Sequence, residues 1–128
     1  MREALAAGGL EAVLSVYLSA EHRDNPGVGC ASAALLPEVA RQPTETRDLF
    51  AEQLTELVGQ FAETLSPRAH DPQGVALGIY ATLVGALQLA RAVPSKALSD
   101  QILTAGAEAA RAVAQIASNP TRASASVA

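Results

Sequence analysis

The residues with the greatest chemical reactivity in this 128-residue sequence are one cysteine and two histidines. Cys30 follows Gly29 at the start of a predicted helix. Because a helix N-terminus lowers the pKa of a thiol, a sensor of oxidants or electrophiles is one interpretation of this cysteine. The other is a small buried hydrophobic residue at a tight turn, and the sequence favours it.

The two histidines, His22 and His70, lie in polar segments close to prolines. No His-x-x-x-His, Cys-x-x-Cys or Glu-x-x-His spacing accompanies them, so we predict neither a metal site nor a cofactor. Cys30, His70 and Asp71 can be written as a nucleophilic set, but nothing in the sequence places them together. The glycines lie in helices or single turns rather than in a phosphate-binding loop. We therefore do not expect an enzyme.

Composition indicates a helical protein. The sequence is 49% hydrophobic, mostly Ala, Leu and Val, and only 3% aromatic, which favours helices over sheets. With 9 basic and 13 acidic residues the net charge is −4, which argues against a grip on a phosphate backbone by this chain alone. A single cysteine excludes an internal disulfide, and the N-terminal residues do not form a secretory signal. We expect a cytoplasmic protein.

The most apolar segment, residues 73–93, predicts a helix with two different faces. At 100° per residue one face is bulky and the other is small. A glycine inside a helix costs about 1 kcal/mol relative to alanine, a loss that close packing by a second helix would recover. We therefore predict that the core covers the bulky face, and that a partner covers the small face: Gly74, Gly78, Ala81, Gly85, Gln88 and Ala92.

A membrane span is the alternative for this segment. Gly74 and Gly78 form the Gly-x-x-x-Gly pattern of transmembrane dimers, and no charge lies between Asp71 and Arg91. The densely apolar part, residues 74–87, has only 14 residues, whereas a span needs about 20. A buried helix of a soluble protein is favoured, and we expect no membrane partner.

Periodicity and punctuation elsewhere predict an all-α fold of five helices with no strand. Gly8-Gly9 breaks a short N-terminal helical segment, the segment 22–27 is a polar turn, and Thr44 and Ser95 are candidate N-caps. The last helix carries an apolar stripe of Leu98, Ile102, Ala105, Ala109, Val113 and Ile116. The five predicted helices are 10–20, 31–41, 45–65, 73–93 and 96–117.

The segment 17–41, YLSAEHRDNPGVGCASAALLPEVAR, resembles the core domain of tetracycline-repressor-type (TetR) transcriptional regulators. It resembles in particular the branch whose second core helix begins Gly-Cys-x-x-Ala-Ala-Leu. Segments 82–91 and 102–113 resemble the two dimerisation helices of that family. The likeness covers about residues 8–117 and rests on the order and spacing of these segments.

This resemblance implies a domain organisation. Residues 1–7 would be the remnant of the helix that connects to an N-terminal helix-turn-helix domain, and residues 8–117 would be the effector-binding and dimerisation domain. The last two helices would form an intersubunit four-helix bundle. Residues 118–128 are low in bulky apolar side chains and are expected to be disordered. DNA binding would require the missing domain, so we expect this chain not to bind operator DNA.

The resemblance also implies the sites. A mostly apolar small-molecule effector, of unknown identity, would bind among the first four core helices, although for any single residue ordinary core packing is favoured over ligand contact. The implied ligand contacts are Tyr17, Cys30, Phe50, Leu54, Phe61, Ile79, Tyr80, Leu83 and Leu87. The implied homodimer interface is the small face together with the stripe defined above: Gly74, Gly78, Ala81, Gly85, Gln88, Ala92, Leu98, Ile102, Ala105, Ala109, Val113 and Ile116.

A second function remains open at this point. The chain could be a stand-alone helical interaction module, dimeric through the same surface, that binds neither ligand nor DNA.

Overall fold

A computed structural model of the chain describes residues 1–28, 31–65 and 67–119. These residues form six α-helices and no strand, which confirms the all-α prediction for the described part of the chain. Cys30, Ser66 and residues 120–128, including most of the predicted disordered tail, lie outside it. The helices are α1 (Arg2–Tyr17), α2 (Ala20–Asp24), α3 (Ala31–Val39), α4 (Thr44–Glu63), α5 (Pro72–Ala92) and α6 (Lys96–Ser118).

Helix α2 is the element that the five-helix prediction lacked. The predicted first helix ends at Tyr17 rather than at residue 20, and a new helix starts at Ala20 and extends into the predicted polar turn. Ser19 caps this helix, since its hydroxyl accepts a hydrogen bond from the backbone N–H of His22 at 3.1 Å. The side chain of Asn25 then donates to the carbonyl of Glu21 at 2.7 Å and closes the C-terminal turn. Local capping thus makes residues 22–24 helical, while Pro26 and Gly27 form a turn as predicted.

The predicted break at Gly8-Gly9 is present as a kink inside α1. Gly9 has φ 62° and ψ −148°, a conformation that favours glycine, while helical residues continue on both sides. The segment before the kink packs on the core through Leu5, which is 4% exposed. Arg2 also pairs with Glu56 of α4 at 2.8 Å. The first helical turns are therefore fixed against α4.

The boundaries of α3 and α4 differ in detail from the expectations. Helix α3 begins at Ala31 as predicted, contains Pro37, and ends at Val39 rather than at residue 41. Helix α4 begins at Thr44 itself, and Pro43 occupies the N-cap position without a side-chain hydrogen bond. The predicted N-cap role of Thr44 is therefore wrong. The fixed φ of proline, here −55°, already prepares the chain for the helix that follows.

Helices α5 and α6 are antiparallel neighbours with a three-residue connection. Ser95 caps α6 as predicted, accepting from the N–H of Leu98 at 3.3 Å. A side chain at Gly106 of α6 would overlap the methyl group of Ala86 in α5, so the two helices are in direct contact there. The hydroxyl of Ser99 also donates to the carbonyl of Ala90 at 2.7 Å. This pair is the framework on which the other helices pack.

The bulky face of α5 lies at the centre of the hydrophobic core, as the periodicity predicted. Each large side chain of this kind contributes roughly 1.5–3 kcal/mol when it is fully buried. Side chains from α1, α4 and α6 and Ala33 of α3 complete the same cluster. The largest side chains with less than 2% exposure are Phe61, Ile79, Leu83, Leu87 and Val13.

By length and composition alone, α5 could cross a membrane. It is the one helix of the described residues with this property, having 21 residues and a mean hydropathy of 1.5 over an 18-residue window. The whole helix is therefore long enough to cross a membrane, although its densely apolar part is shorter than a span. However, 44% of that window is buried inside the chain, where it supplies the core.

Candidate functional site

The small-residue face of α5 points away from the rest of the chain. A Cβ atom placed on Gly78 or Gly85 would meet nothing within 4 Å, so no part of the described chain packs on them. Leu77 and Leu89, on either side of these glycines, are 47% and 60% exposed. We call this surface the α5 outer face and define it as Gly74, Leu77, Gly78, Ala81, Gly85, Gln88, Leu89 and Ala92.

Gly74 has an additional local role. Asp71 caps α5 with φ 53°, and its carboxylate accepts a hydrogen bond from the N–H of Gly74 at 3.0 Å. A side chain on Gly74 would overlap that carboxylate. The N-cap therefore accounts for this glycine without any partner.

The apolar stripe predicted on α6 is also largely solvent-exposed. Leu98 and Ile116 are 45% and 59% exposed, Ala105 and Ala109 are exposed, and Ile102 and Val113 are half-buried. The buried side of α6 is a different set, made of Ser99, Leu103, Gly106 and Ala110. The stripe is therefore mostly exposed, although Ile102 and Val113 also pack against the core of their own chain.

The α6 stripe and the α5 outer face are exposed surfaces of two neighbouring helices. Arg111 of α6 pairs with Glu11 of α1 at 2.8 Å, so that side of α6 faces α1. The stripe lies on the opposite side of the helix, beyond Gly106, which contacts α5. We call the combined surface the α5–α6 face. Of the eight large hydrophobic side chains exposed in the described residues, it carries four: Leu77, Leu89, Leu98 and Ile116.

Most of the implied ligand contacts are packed core residues. None of the six on the core-facing sides of their helices is more than 6% exposed, and all belong to one hydrophobic cluster. Their burial accords with the core-packing interpretation given above. Cys30 lies outside the described residues. The six are Tyr17, Phe61, Ile79, Tyr80, Leu83 and Leu87.

The other two implied contacts, Phe50 and Leu54, line an open groove between α3 and α4. Its volume is about 430 Å³, and apolar side chains of both helices form its walls, with Arg47 and Asp48 among its polar lining. Leu54 also packs against the hydrophobic core, so it connects the groove to the interior. A cavity of this size with few polar groups suits a small, mostly apolar molecule. The remaining lining residues are Leu36, Val39, Ala40, Thr44 and Ala51.

Of the reactive residues considered above, His22 and Asp71 make structural contacts, and His70 is exposed. The Nδ1 atom of His22 lies 2.7 Å from the carbonyl oxygen of Tyr17, and the two rings make an edge contact at 4.9 Å. His70 is exposed, and Asp71 is engaged in the cap of α5. Within the described residues no group of three or more His, Cys, Asp or Glu side chains could hold a metal ion.

A polar cluster joins α2 to the junction of α5 and α6. Arg23, only 7% exposed, donates to both carboxylate oxygens of Asp24, to Asp100 at 2.6 Å and to the hydroxyl of Ser99 at 3.0 Å. Lys96 donates to the other oxygen of Asp100 at 2.6 Å. Arg91 donates to the carbonyls of Arg23 and His22 at 3.1 and 2.8 Å. These contacts hold α2 against the end of α5.

Charge pairing shifts the titration of this cluster. The guanidinium of Arg23 holds the pKa of Asp24 below its ordinary value. Hydrogen bonds from Lys96 and then Arg23 lower the pKa of Asp100. The two carboxylates in turn raise the pKa of Arg23. Arg23, Asp24 and Asp100 are therefore all charged at neutral pH.

Sequence reasoning missed two features of these surfaces. Leu77 and Leu89 were absent from the predicted interface, although both lie within three or four residues of its glycines on the same helix face. The Arg23 cluster was also missed. Its one signal in the sequence was Arg91, the only charge in an otherwise uncharged helix.

No protein-family model, curated protein or solved structure matches this chain.

Proposed function

We propose that this chain is the effector-binding and dimerisation domain of a TetR-like transcriptional regulator, and that DNA is bound by a helix-turn-helix domain outside residues 1–128. The observation that carries the proposal is the α5–α6 face, an exposed apolar surface built on glycines. The order of the segments that resemble the family adds to it.

The α5–α6 face suits a second copy of the same chain. Its residues carry no charge, so a two-fold related copy would bring no like charges together. Gly78, Ala81 and Gly85 form a smooth floor between Leu77 and Leu89, into which the apolar side chains of another helix can pack. Two helices from each chain would then form a four-helix bundle of the kind expected from the resemblance.

The α3–α4 groove is the proposed entrance for the effector. It exposes Phe50 and Leu54 to solvent while Leu54 contacts the buried core that includes Ile79 and Leu83 of α5. A ligand that enters deeper would displace core side chains and press on α5. It shifts the equilibrium between two helix arrangements only by the difference in its affinity for them.

Helix α5 would thus contact, on one face, the core side chains that a ligand displaces and, on its other face, the partner chain. This arrangement lets effector binding change the separation of two DNA-binding domains. The kinked segment before Gly9, held to α4 by Arg2 and Glu56, would carry the movement outward.

A cytoplasmic location follows from the same proposal. The bulky face of α5 serves the core of this chain, and its outer face bears three glycines and Gln88 beside only two large apolar side chains, Leu77 and Leu89, whereas lipid favours a face made of such side chains. If α5 spanned a membrane, its bulky face would no longer pack against α1, α4 and α6, and these helices would lose their hydrophobic core.

The second candidate, a stand-alone dimeric module, uses the same α5–α6 face without an effector. An in-frame helix-turn-helix encoded upstream of Met1 supports the regulator, whereas a separate start site with no such domain supports the module.

Ligand binding is tested by thermal-shift screening of this chain against a library of small apolar metabolites. A ligand present at 100 times its Kd stabilises the folded chain by about 2.7 kcal/mol. Ala51→Trp places an indole ring in the groove from an exposed position and should abolish the shift. Gln53→Trp, on the opposite side of the same helix, is the matched control and should retain it. A hit that survives Ala51→Trp would contradict the groove assignment.

A further inference from the structure

A cleft lies where α2, the end of α5 and the start of α6 meet, and the proposed function does not use it. Its volume is about 510 Å³. Three cations, Arg23, Arg91 and Lys96, line it together with Asp24 and the hydroxyl-bearing Ser99. Even when Asp100, the partner of Arg23 and Lys96, is included, the cations outnumber the carboxylates. In a chain of net charge −4, this concave region is locally positive and attracts anions.

Arg91 is held in place by only one edge of its guanidinium. Its Nε and Nη2 atoms donate to successive backbone carbonyls, those of Arg23 and His22. The other edge, formed by the two Nη atoms, has no acceptor in residues 1–28, 31–65 and 67–119, and no carboxylate there pairs with Arg91. Two parallel N–H groups on a fixed guanidinium match the oxygens of a carboxylate or phosphate.

The other two cations complement this edge in different ways. Arg23 is almost fully buried and bound to Asp24 and Asp100, so it forms a fixed wall. Lys96 is 76% exposed on a flexible stem, and it can leave Asp100 for a ligand because Arg23 still neutralises that carboxylate. Arg91 is therefore the fixed contact for a ligand, Arg23 forms part of the wall of the cleft, and Lys96 can move toward a bound ligand.

We infer that this cleft binds a small anion bearing a carboxylate or phosphate group, with Arg91 as the anchoring contact and Lys96 as the second. The cleft shares no lining residue with the α3–α4 groove. The inference is thus independent of the proposed effector site and of the regulatory function.

The test is a titration of the 15N-labelled chain with inorganic phosphate and, separately, with succinate, at an ionic strength held constant with sodium chloride. We expect saturable shifts of backbone amides confined to residues 22–25 and 90–99. Tighter binding of phosphate identifies a phosphorylated ligand, and tighter binding of succinate identifies a carboxylate.

Three variants make the test decisive. A charge-assisted hydrogen bond is worth enough for Arg91→Gln to weaken binding roughly tenfold to 100-fold. Lys96→Gln, at an exposed position that leaves the fold intact, should weaken it by up to about fivefold. Arg41→Gln removes an equal charge from an exposed arginine paired with Glu38 and should change the affinity by less than twofold. Shifts that do not saturate, or an affinity equal to wild type in both Arg91→Gln and Lys96→Gln, would overturn the inference.

Discussion

Replacing Gly85 by leucine should stabilise the single chain and separate the dimer. Within one chain a side chain at residue 85 meets open space, so the substitution causes no clash. It also removes a glycine from the middle of α5, which gains roughly 0.8 kcal/mol of helix propensity. Each folded monomer therefore becomes slightly more stable.

In the proposed dimer the same side chain enters the closest contact between α5 helices. Overpacking of a well-packed interface costs about 1–3 kcal/mol per inserted side chain. Two copies therefore cost roughly 2–6 kcal/mol, which weakens dimerisation by about 30-fold to 10⁴-fold.

Sedimentation equilibrium measures the dimer dissociation constant, and thermal unfolding at low protein concentration measures the stability of the monomer. Gly59→Leu is the matched control, because Gly59 is also inside a helix and open to a side chain but lies on α4. It should raise the stability without changing the mass in solution. If Gly85→Leu and Gly59→Leu dimerise alike, the interface assignment is refuted.

Two further predictions concern the framework of the chain. Gly106→Ala drives a methyl group into Ala86, so it should destabilise the chain by up to about 2 kcal/mol in urea unfolding, whereas Gly59→Ala should stabilise it by about 1 kcal/mol; equal effects would show that α5 and α6 are not in close contact. Because the pKa values of Asp24 and Asp100 are lowered in the folded state, their contribution to stability is present above the ordinary carboxyl pKa of about 3.9 and is lost as the pH falls through the lowered values. Asp100→Asn should accordingly be less stable than wild type at pH 6, and the difference should shrink at pH 2; a difference that is the same at both would contradict this pairing.

The helical content and the two faces of α5 were predictable because they depend on periodicity within one segment. Ile79, Leu83 and Leu87 recur at helical spacing, and the structure buries all three completely. The Gly8-Gly9 break and the Ser95 cap were predictable for a similar reason, since each depends on the residue itself.

Contacts between distant segments could not be predicted. Arg23 lies 77 positions from Asp100, and no spacing rule connects them. Helix α2 was missed because Ser19 and Asn25 cap it, and these residues are equally common in turns. The groove at Phe50 arises from the way α3 meets α4, which periodicity within either helix does not describe.

The most direct test of the central claim is an isotope-filtered NOE experiment on a dimer of one methyl-labelled and one unlabelled chain. The account predicts intermolecular NOEs to the methyl groups of Leu77, Leu89, Ile102 and Ile116. NOEs confined to Leu35 and Leu49, which are exposed on α3 and α4, or a chain that sediments at its monomer mass of 13.1 kDa, would contradict it.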